Sequence, residues 1–133
     1  MYRASATWKQ QFQFEGKGNG GIPVAMDGDG KTGNSPTDLI LVGLCACTGY
    51  DVVSILQKKR QPLKGLEISA EAEKAPHSPR VYTAIKLLYR ISGKVSRKAA
   101  EDAVRLSEEK YCSVSAMLSK TARVTYEIQM EPQ

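Results

Sequence analysis

The sequence predicts an α+β fold with antiparallel sheet, a long central helix and a second helix. Two alternating segments, "LEISAEAEKA" and "VYTAIKLLYRIS", are typical of paired strands. The apolar run "LILVGLCAC" follows a helix-start signal. A third alternating segment, "ARVTYEIQM", follows a segment whose apolar residues have helical spacing. With 133 residues, 41% of them hydrophobic, the chain is expected to form a single domain over residues 1–133.

The amino-terminal segment alternates from Tyr2 to Trp8 and keeps the same parity at Phe12 and Phe14, which predicts one opening strand. Two glycine-rich stretches bracket the apolar residues 22–26 and predict a hairpin followed by a loop. Neither stretch has the glycine spacing of a phosphate-binding loop, so nucleotide binding is not indicated.

The central helix is expected to begin at Ser35, which can cap it, with Pro36 at the first helical position and Asp38 placed for a capping box. It should end near Arg60, before a proline. Its first half is apolar on every side, which indicates that it is enclosed all round. One chain of this size offers few elements to enclose it, so we expect a partner subunit to contribute.

The carboxyl-terminal half predicts a hairpin, a helix and a last strand. The hairpin turns at "PHSPR", Ser96 caps an amphipathic helix that runs to Tyr111, and Cys112 lies just beyond that helix. A short helical turn over residues 113–119 should precede the final strand. The inward positions of the strands are expected at Leu66, Ile68, Ala70 and Ala72; at Val81, Thr83, Ile85, Leu87, Tyr89 and Ile91; and at Ala122, Val124, Tyr126, Ile128 and Met130.

Charge and composition favour a cytoplasmic protein without nucleic-acid or membrane partners. The net charge is +5, but the one dense cluster, residues 58–60, closes a helix, where cations interact favourably with the dipole. The amino terminus lacks a signal-peptide pattern, and no 18 uncharged apolar residues run together. Three cysteines argue against a disulfide framework and leave free thiols, metal ligation or redox chemistry open.

A zinc set of Cys45, Cys47, Cys112 and His77 is disfavoured. Residues two apart on a helix point about 200° away from each other, so Cys45 and Cys47 cannot both face one ion. We therefore expect no metal site.

Cys47 and Cys45 are expected on different faces of the central helix. Cys47 shares a face with Tyr50 and Asp51, whereas Cys45 points to the apolar side and is interpreted as a small buried hydrophobe. By composition alone, a core cysteine is the favoured interpretation of Cys47.

The segment "SPTDLILVGLCACTGYDVVSILQKKR" resembles the central helix of the OsmC/Ohr family of organic hydroperoxide reductases. Members of that family carry a reactive cysteine eleven residues after a proline, which is the spacing of Pro36 and Cys47. The second family cysteine is matched by Cys112 in "YCSVSAML". The order of predicted elements agrees along essentially the whole chain.

This resemblance implies a cofactor-free thiol peroxidase that works as an intertwined homodimer. It implies that Cys47 attacks an organic hydroperoxide and becomes a sulfenic acid, that Cys112 resolves it to a disulfide, and that an external dithiol is the reductant. The apolar helix surface suits an organic substrate, because burying a hydrocarbon tail is favourable by about 25 cal/mol per Å².

The chain departs from the family pattern beside the proline, where hydroperoxide reductases carry a glutamate that pairs with an arginine. Thr37 occupies that position, with Asp38 next to it, and Asp51 is a further candidate to support Cys47. Candidates for the supporting cation are Arg3, Lys17 and Lys31. The alternative function is a small-ligand-binding or redox-sensing protein of the same fold without efficient peroxide turnover.

Overall fold

The computed structural model describes residues 1–131, which form two compact units, one of residues 1–42 and one from residue 43 onward. The elements in chain order are the strands β1 (Ser5–Gln10), β2 (Gln13–Lys17) and β3 (Pro23–Asp27), the helix α1 (Pro36–Lys58), the strands β4 (Leu63–Lys74) and β5 (Tyr82–Gly93), the helix α2 (Arg97–Leu106), a π-helical turn (Ser107–Tyr111), the helix α3 (Ser113–Leu118) and the strand β6 (Arg123–Glu131). The α+β class predicted from the sequence is confirmed.

The first unit contains an antiparallel sheet in the order β1-β2-β3. The single opening strand predicted through Phe14 is wrong, because the chain turns at Gln11, whose φ is 49°, and Trp8 pairs with Phe14. The alternating pattern hides this turn because the residues on both sides of it keep the same parity. The predicted hairpin, β2 with β3, is confirmed by pairs such as Glu15 with Ala25.

The loop after β3 folds around the carboxylate of Asp27, which is buried. This carboxylate accepts hydrogen bonds from the backbone N–H groups of Asp29 and Thr32 and from Thr32 Oγ1, at 2.8 to 3.0 Å. An aspartate that binds its own following backbone is a common way to fix a turn without regular secondary structure.

The helix α1 begins where the sequence predicts. Ser35 Oγ accepts a hydrogen bond of 3.1 Å from the backbone N–H of Asp38, as a cap should. By length and composition alone α1 could cross a membrane, a test that the core helix of a globular domain also passes. Its second half buries one stripe of side chains at intervals of four residues, which are Leu44, Thr48, Val52 and Leu56.

The second unit contains a sheet in the order β4-β5-β6. The β4–β5 hairpin is antiparallel as predicted, whereas β5 and β6 pair in parallel, which corrects the expectation of purely antiparallel sheet. The parallel pair is possible because α2, the π-helical turn and α3 form a long crossover between the two strands.

The core of the second unit lies between this sheet and its helices. β5 contributes every second side chain, and α2 contributes small residues that let its backbone approach closely. These buried side chains are Ile85, Leu87, Tyr89 and Ile91 from β5, and Ala99, Ala100, Ala103 and Val104 from α2.

The predicted α-helix to Tyr111 is correct only up to Leu106. Beyond it the chain widens into the π-helical turn, in which the N–H of Cys112 donates to the carbonyl of Ser107 at 2.8 Å. Hydrophobic spacing does not distinguish the two helix types over five residues, and π-helical turns occur frequently at functional sites.

We expect Ser96→Ala to lower the free energy of unfolding by about 1 kcal/mol, because Ser96 Oγ accepts the N–H of Ala99 at 3.1 Å and caps α2. Ser96→Asp, which keeps an acceptor at the cap, should stay close to the original stability. Urea denaturation measures both; equal losses in the two variants would contradict the capping role.

Candidate thiol site

Two of the three cysteines lie together in the second unit. Cys47 lies half-buried on α1, and Cys112 lies buried directly after the π-helical turn. Both are free thiols, and the interaction with Cys47 helps to raise the pKa of the Cys112 thiol. The third cysteine, Cys45, is half-buried, and burial raises the pKa of its thiol.

The Cys112 thiol is held in its neutral form. Its side chain is 3% exposed, and the backbone N–H of Ser115 donates to Cys112 Sγ at 3.3 Å. Burial raises the pKa of this thiol to about 12, helped by the hydrogen bond to Cys47 and the negative charge of Glu108, although the Ser115 N–H acts in the opposite direction. A neutral Cys112 can therefore donate its S–H toward the sulfur of Cys47.

Glu108 is a site residue that the sequence analysis missed. Its Oε1 accepts the Tyr89 hydroxyl at 2.5 Å, and its Oε2 accepts the Ser115 hydroxyl at 3.0 Å. Ser115 thus contacts both the carboxylate and the Cys112 sulfur. In the sequence Glu108 resembles any surface acid of an amphipathic helix; its one signal is that it stands four residues before Cys112.

A chain of buried hydroxyl groups runs from Glu108 to Asp51. Thr48 Oγ1 lies 2.6 Å from the Tyr89 hydroxyl and 2.7 Å from Ser107 Oγ, and Ser107 Oγ donates to Asp51 Oδ2 at 2.8 Å. Thr48, Ser107 and Tyr89 are each 0% exposed. We call these three hydroxyl groups the hydroxyl chain; the two carboxyl groups are its ends.

Burial and the hydrogen bond to Glu108 raise the pKa of Tyr89, so its hydroxyl stays protonated across the physiological range. Its ring packs edge to face against Tyr126, with ring centroids 6.0 Å apart. The ring of Tyr89 is therefore fixed, which fixes the position of its hydroxyl.

Asp51, expected beside Cys47 on the polar side of α1, lies at the wall of an open cavity of about 500 Å³. The other wall residues are Tyr50, Ser54, Ile55 and Lys58 of α1, Lys59 directly after it, Leu106 and Tyr111. Asp51 therefore links the buried hydroxyl chain to a solvent-accessible surface.

The remaining predicted supporting residues belong to the first unit. Thr37 and Asp38 lie in the first turn of α1, and the three candidate cations, Arg3, Lys17 and Lys31, lie in the same unit. Their support of Cys47 stays a prediction. Among residues 1–131, no group of three or more His, Cys, Asp or Glu side chains is arranged to hold a metal ion.

Comparison with known proteins relates the whole chain to one family. The sequence profile of the family described as OsmC-like protein matches residues 28–127. The protein YhfA of Escherichia coli strain K12 is 37% identical over 126 residues, which cover 93% of this chain and 94% of that protein.

Solved structures agree with this relation. A hypothetical protein from Aquifex aeolicus VF5 is 33% identical, with a TM-score of 0.85 over 98% of both chains. An organic hydroperoxide resistance protein OsmC from Legionella pneumophila, described as a predicted redox protein, has the same fold at 16% identity, with a TM-score of 0.72 over 97% of this chain and 96% of that one.

We expect Cys112 to be the least reactive of the three thiols toward iodoacetamide near neutral pH. The thiolate is the reactive form, and Cys112 is buried with a pKa raised to about 12. Peptide mass spectrometry after timed alkylation of the reduced protein measures this, with the unfolded protein as the control in which the three rates should converge. Equal rates for Cys47 and Cys112 in the folded protein would contradict the arrangement.

Proposed function

Because this chain is a member of the OsmC-like family, we propose that it is a thiol-dependent peroxidase that reduces organic hydroperoxides. The observation that carries the proposal is the pair of free thiols, Cys47 and Cys112, which are close enough for Cys47 to help raise the pKa of Cys112.

Cys47 is the reactive thiol in this proposal and Cys112 the resolving thiol. Burial raises the pKa values of Cys45 and Cys112, which disfavours both as nucleophiles. The S–H of Cys112 stabilises negative charge on the Cys47 sulfur, because a hydrogen bond to a charged acceptor is stronger than one to a neutral acceptor.

The reaction proceeds in three steps. The Cys47 thiolate attacks the terminal oxygen of the hydroperoxide and the O–O bond breaks, which oxidises Cys47 to a sulfenic acid; the alkoxide takes up a proton from solvent and leaves as the alcohol. Cys112 sulfur then attacks Cys47 sulfur, the S–O bond breaks, and water leaves, which forms the disulfide. An external dithiol reduces this disulfide by thiol exchange and becomes oxidised itself.

The side chains around the cavity at Asp51 favour an organic hydroperoxide as the substrate. Its wall combines apolar side chains, Ile55 and Leu106, with the rings of Tyr50 and Tyr111. Asp51 follows Cys47 by four residues and lies one helical turn along the same side of α1. A hydrocarbon tail gains free energy on burial against such a wall, whereas hydrogen peroxide has no apolar part to bury.

A second candidate function is redox sensing without efficient turnover. It is favoured by the high pKa of Cys112, since a resolving thiol that stays protonated closes the disulfide slowly. In this case the protein would still react once with a hydroperoxide but would cycle poorly with a dithiol.

The protein is proposed to act as a homodimer in the cytoplasm. In the first unit, the large apolar side chains Trp8, Phe12 and Ile22 are 60 to 76% exposed, and Val42 is 53% exposed. So much exposed apolar surface is unusual for a monomer and favours a partner surface. A reducing cytoplasm keeps cysteines such as these as free thiols between turnovers.

We expect the protein to sediment as a dimer at micromolar concentration, since obligate interfaces of this kind bury about 2,000 Å² or more. Val42→Glu should shift it toward monomer, because it replaces an exposed apolar side chain by a charged one. Lys94→Glu, which places the same charge at an exposed polar position, should leave the dimer intact. A monomeric mass for the unmodified protein would exclude the proposed assembly.

We expect one equivalent of an organic hydroperoxide to remove two titratable thiols from the reduced protein and to produce a Cys47–Cys112 disulfide. Cys47→Ser should consume no peroxide, because a hydroxyl has almost no anionic fraction at neutral pH. Cys112→Ser should react once and leave a sulfenic acid at Cys47 that a dimedone probe traps.

Cys45→Ser is the matched control, since it removes a helix thiol outside the pair and should keep peroxide consumption. Loss of activity in this variant alone would move the reactive role to Cys45. If two thiols are lost once but a dithiol does not sustain turnover, the sensing function replaces the peroxidase.

A further inference from the structure

The hydroxyl chain has too few protons for its contacts if both of its carboxyl ends are ionised. The contacts from Asp51 through Ser107, Thr48 and Tyr89 to Glu108 number four and measure 2.8, 2.7, 2.6 and 2.5 Å. Each hydroxyl group has one proton to donate, and an ionised carboxylate has none. Three protons therefore serve four contacts.

Thr48 is the residue that lacks a proton for one of its two contacts. Ser107 donates to Asp51 and Tyr89 donates to Glu108, so the single Thr48 proton would have to serve both of its neighbours. The other contact would bring two lone pairs within 2.7 Å at a fully buried position, where an unmade hydrogen bond costs about 1–3 kcal/mol.

We propose that Asp51 and Glu108 share one additional proton through the hydroxyl groups of Ser107, Thr48 and Tyr89, so that one of the two carboxyl groups is neutral in the resting protein. With this proton all four contacts are hydrogen bonds. The hydroxyl chain then has two possible arrangements. In one Asp51 is protonated and every donor points toward Glu108, and in the other Glu108 is protonated and every donor points toward Asp51.

The groups that face the two ends differ. Asp51 faces the cavity with Lys58, Lys59, Tyr50 and Tyr111, where protons exchange with solvent. Lys59 also contacts Asp102, at 3.8 Å.

Glu108 lies at the other end of the hydroxyl chain, beside a residue that contacts Cys112. It accepts the hydroxyl groups of Tyr89 and Ser115, and the backbone N–H of Ser115 donates to Cys112 Sγ. The hydroxyl chain and Ser115 therefore link the surroundings of the buried resolving thiol to a solvent-accessible carboxyl group.

This connection gives the chain a role in the second step of the proposed peroxidase reaction, and that role rests on the proposed function. The step starts from the arrangement in which Glu108 is protonated. When Cys112 attacks the Cys47 sulfenic acid, the four protons shift by one contact each toward Asp51. Glu108, which is thereby ionised, takes up the S–H proton, and Asp51 releases one proton to the cavity. The departing hydroxide takes up one proton from solvent and leaves as water, so the net reaction is thiol plus sulfenic acid giving disulfide plus water.

The shared proton is tested on the reduced, resting protein by infrared spectroscopy near neutral pH, without peroxide. We expect the carbonyl stretch of a single protonated carboxyl group per chain, which shifts in D₂O. Because no turnover is involved, the result is independent of whether the protein is a peroxidase.

Two substitutions test whether the additional proton belongs to the hydroxyl chain. Asp51→Asn supplies an amide N–H to Ser107, which completes the chain without a carboxyl proton, so the band should be lost while the fold is kept. Thr48→Val divides the chain and leaves each carboxylate with its own hydroxyl donor, so the band should again be lost. Thr48→Ser, which restores the hydroxyl, should restore it.

Asp102→Asn is the matched control, because the Asp102 carboxylate lies outside the hydroxyl chain and pairs with cations. The carbonyl band should persist in this variant. Circular dichroism verifies the fold of each variant; if Thr48→Val does not fold, Asp51→Asn decides the question. The proposal is overturned if the original protein shows no protonated carboxyl, if the band persists in a folded Asp51→Asn or Thr48→Val, or if Asp102→Asn loses it.

Discussion

The arrangement of the second unit depends on the need to hydrogen-bond one buried hydroxyl, that of Thr48. This side chain lies in the buried stripe of α1, between Leu44 and Val52, where an unpaired hydroxyl would be costly. Its partners come from β5 and from the end of α2, through Tyr89 and Ser107. These contacts fix three elements against one another, and the helix turn that carries Thr48 also carries Cys47.

The π-helical turn contributes both to the hydrogen bonds of Thr48 and to the surroundings of Cys112. Its wider ring directs two successive side chains, Ser107 and Glu108, into the polar interior, and it ends where Cys112 begins the next helix. The π-helical turn and the residue directly after it therefore supply three members of the site, Ser107, Glu108 and Cys112.

The sequence predicted most of the fold because its elements have strong local signals. The cap at Ser35, the cap at Ser96 and the alternating β4 and β5 follow from short-range hydrogen bonds and from burial of one face. The turn at Gln11 and the parallel pairing of β6 lacked such signals. A turn that preserves alternation is invisible in the pattern, and strand direction depends on how a long crossover packs.

Within the candidate site, the sequence by itself determined which thiols to consider. The spacing of Pro36 and Cys47, and the 200° separation of Cys45 from Cys47 on a helix, are properties of the chain alone. Only the tertiary structure decided that Glu108 binds the hydroxyl groups of Tyr89 and Ser115 and that buried hydroxyl groups join it to Asp51. The physical reason is that hydrogen-bond partners many residues apart are selected by packing, which no local periodicity encodes.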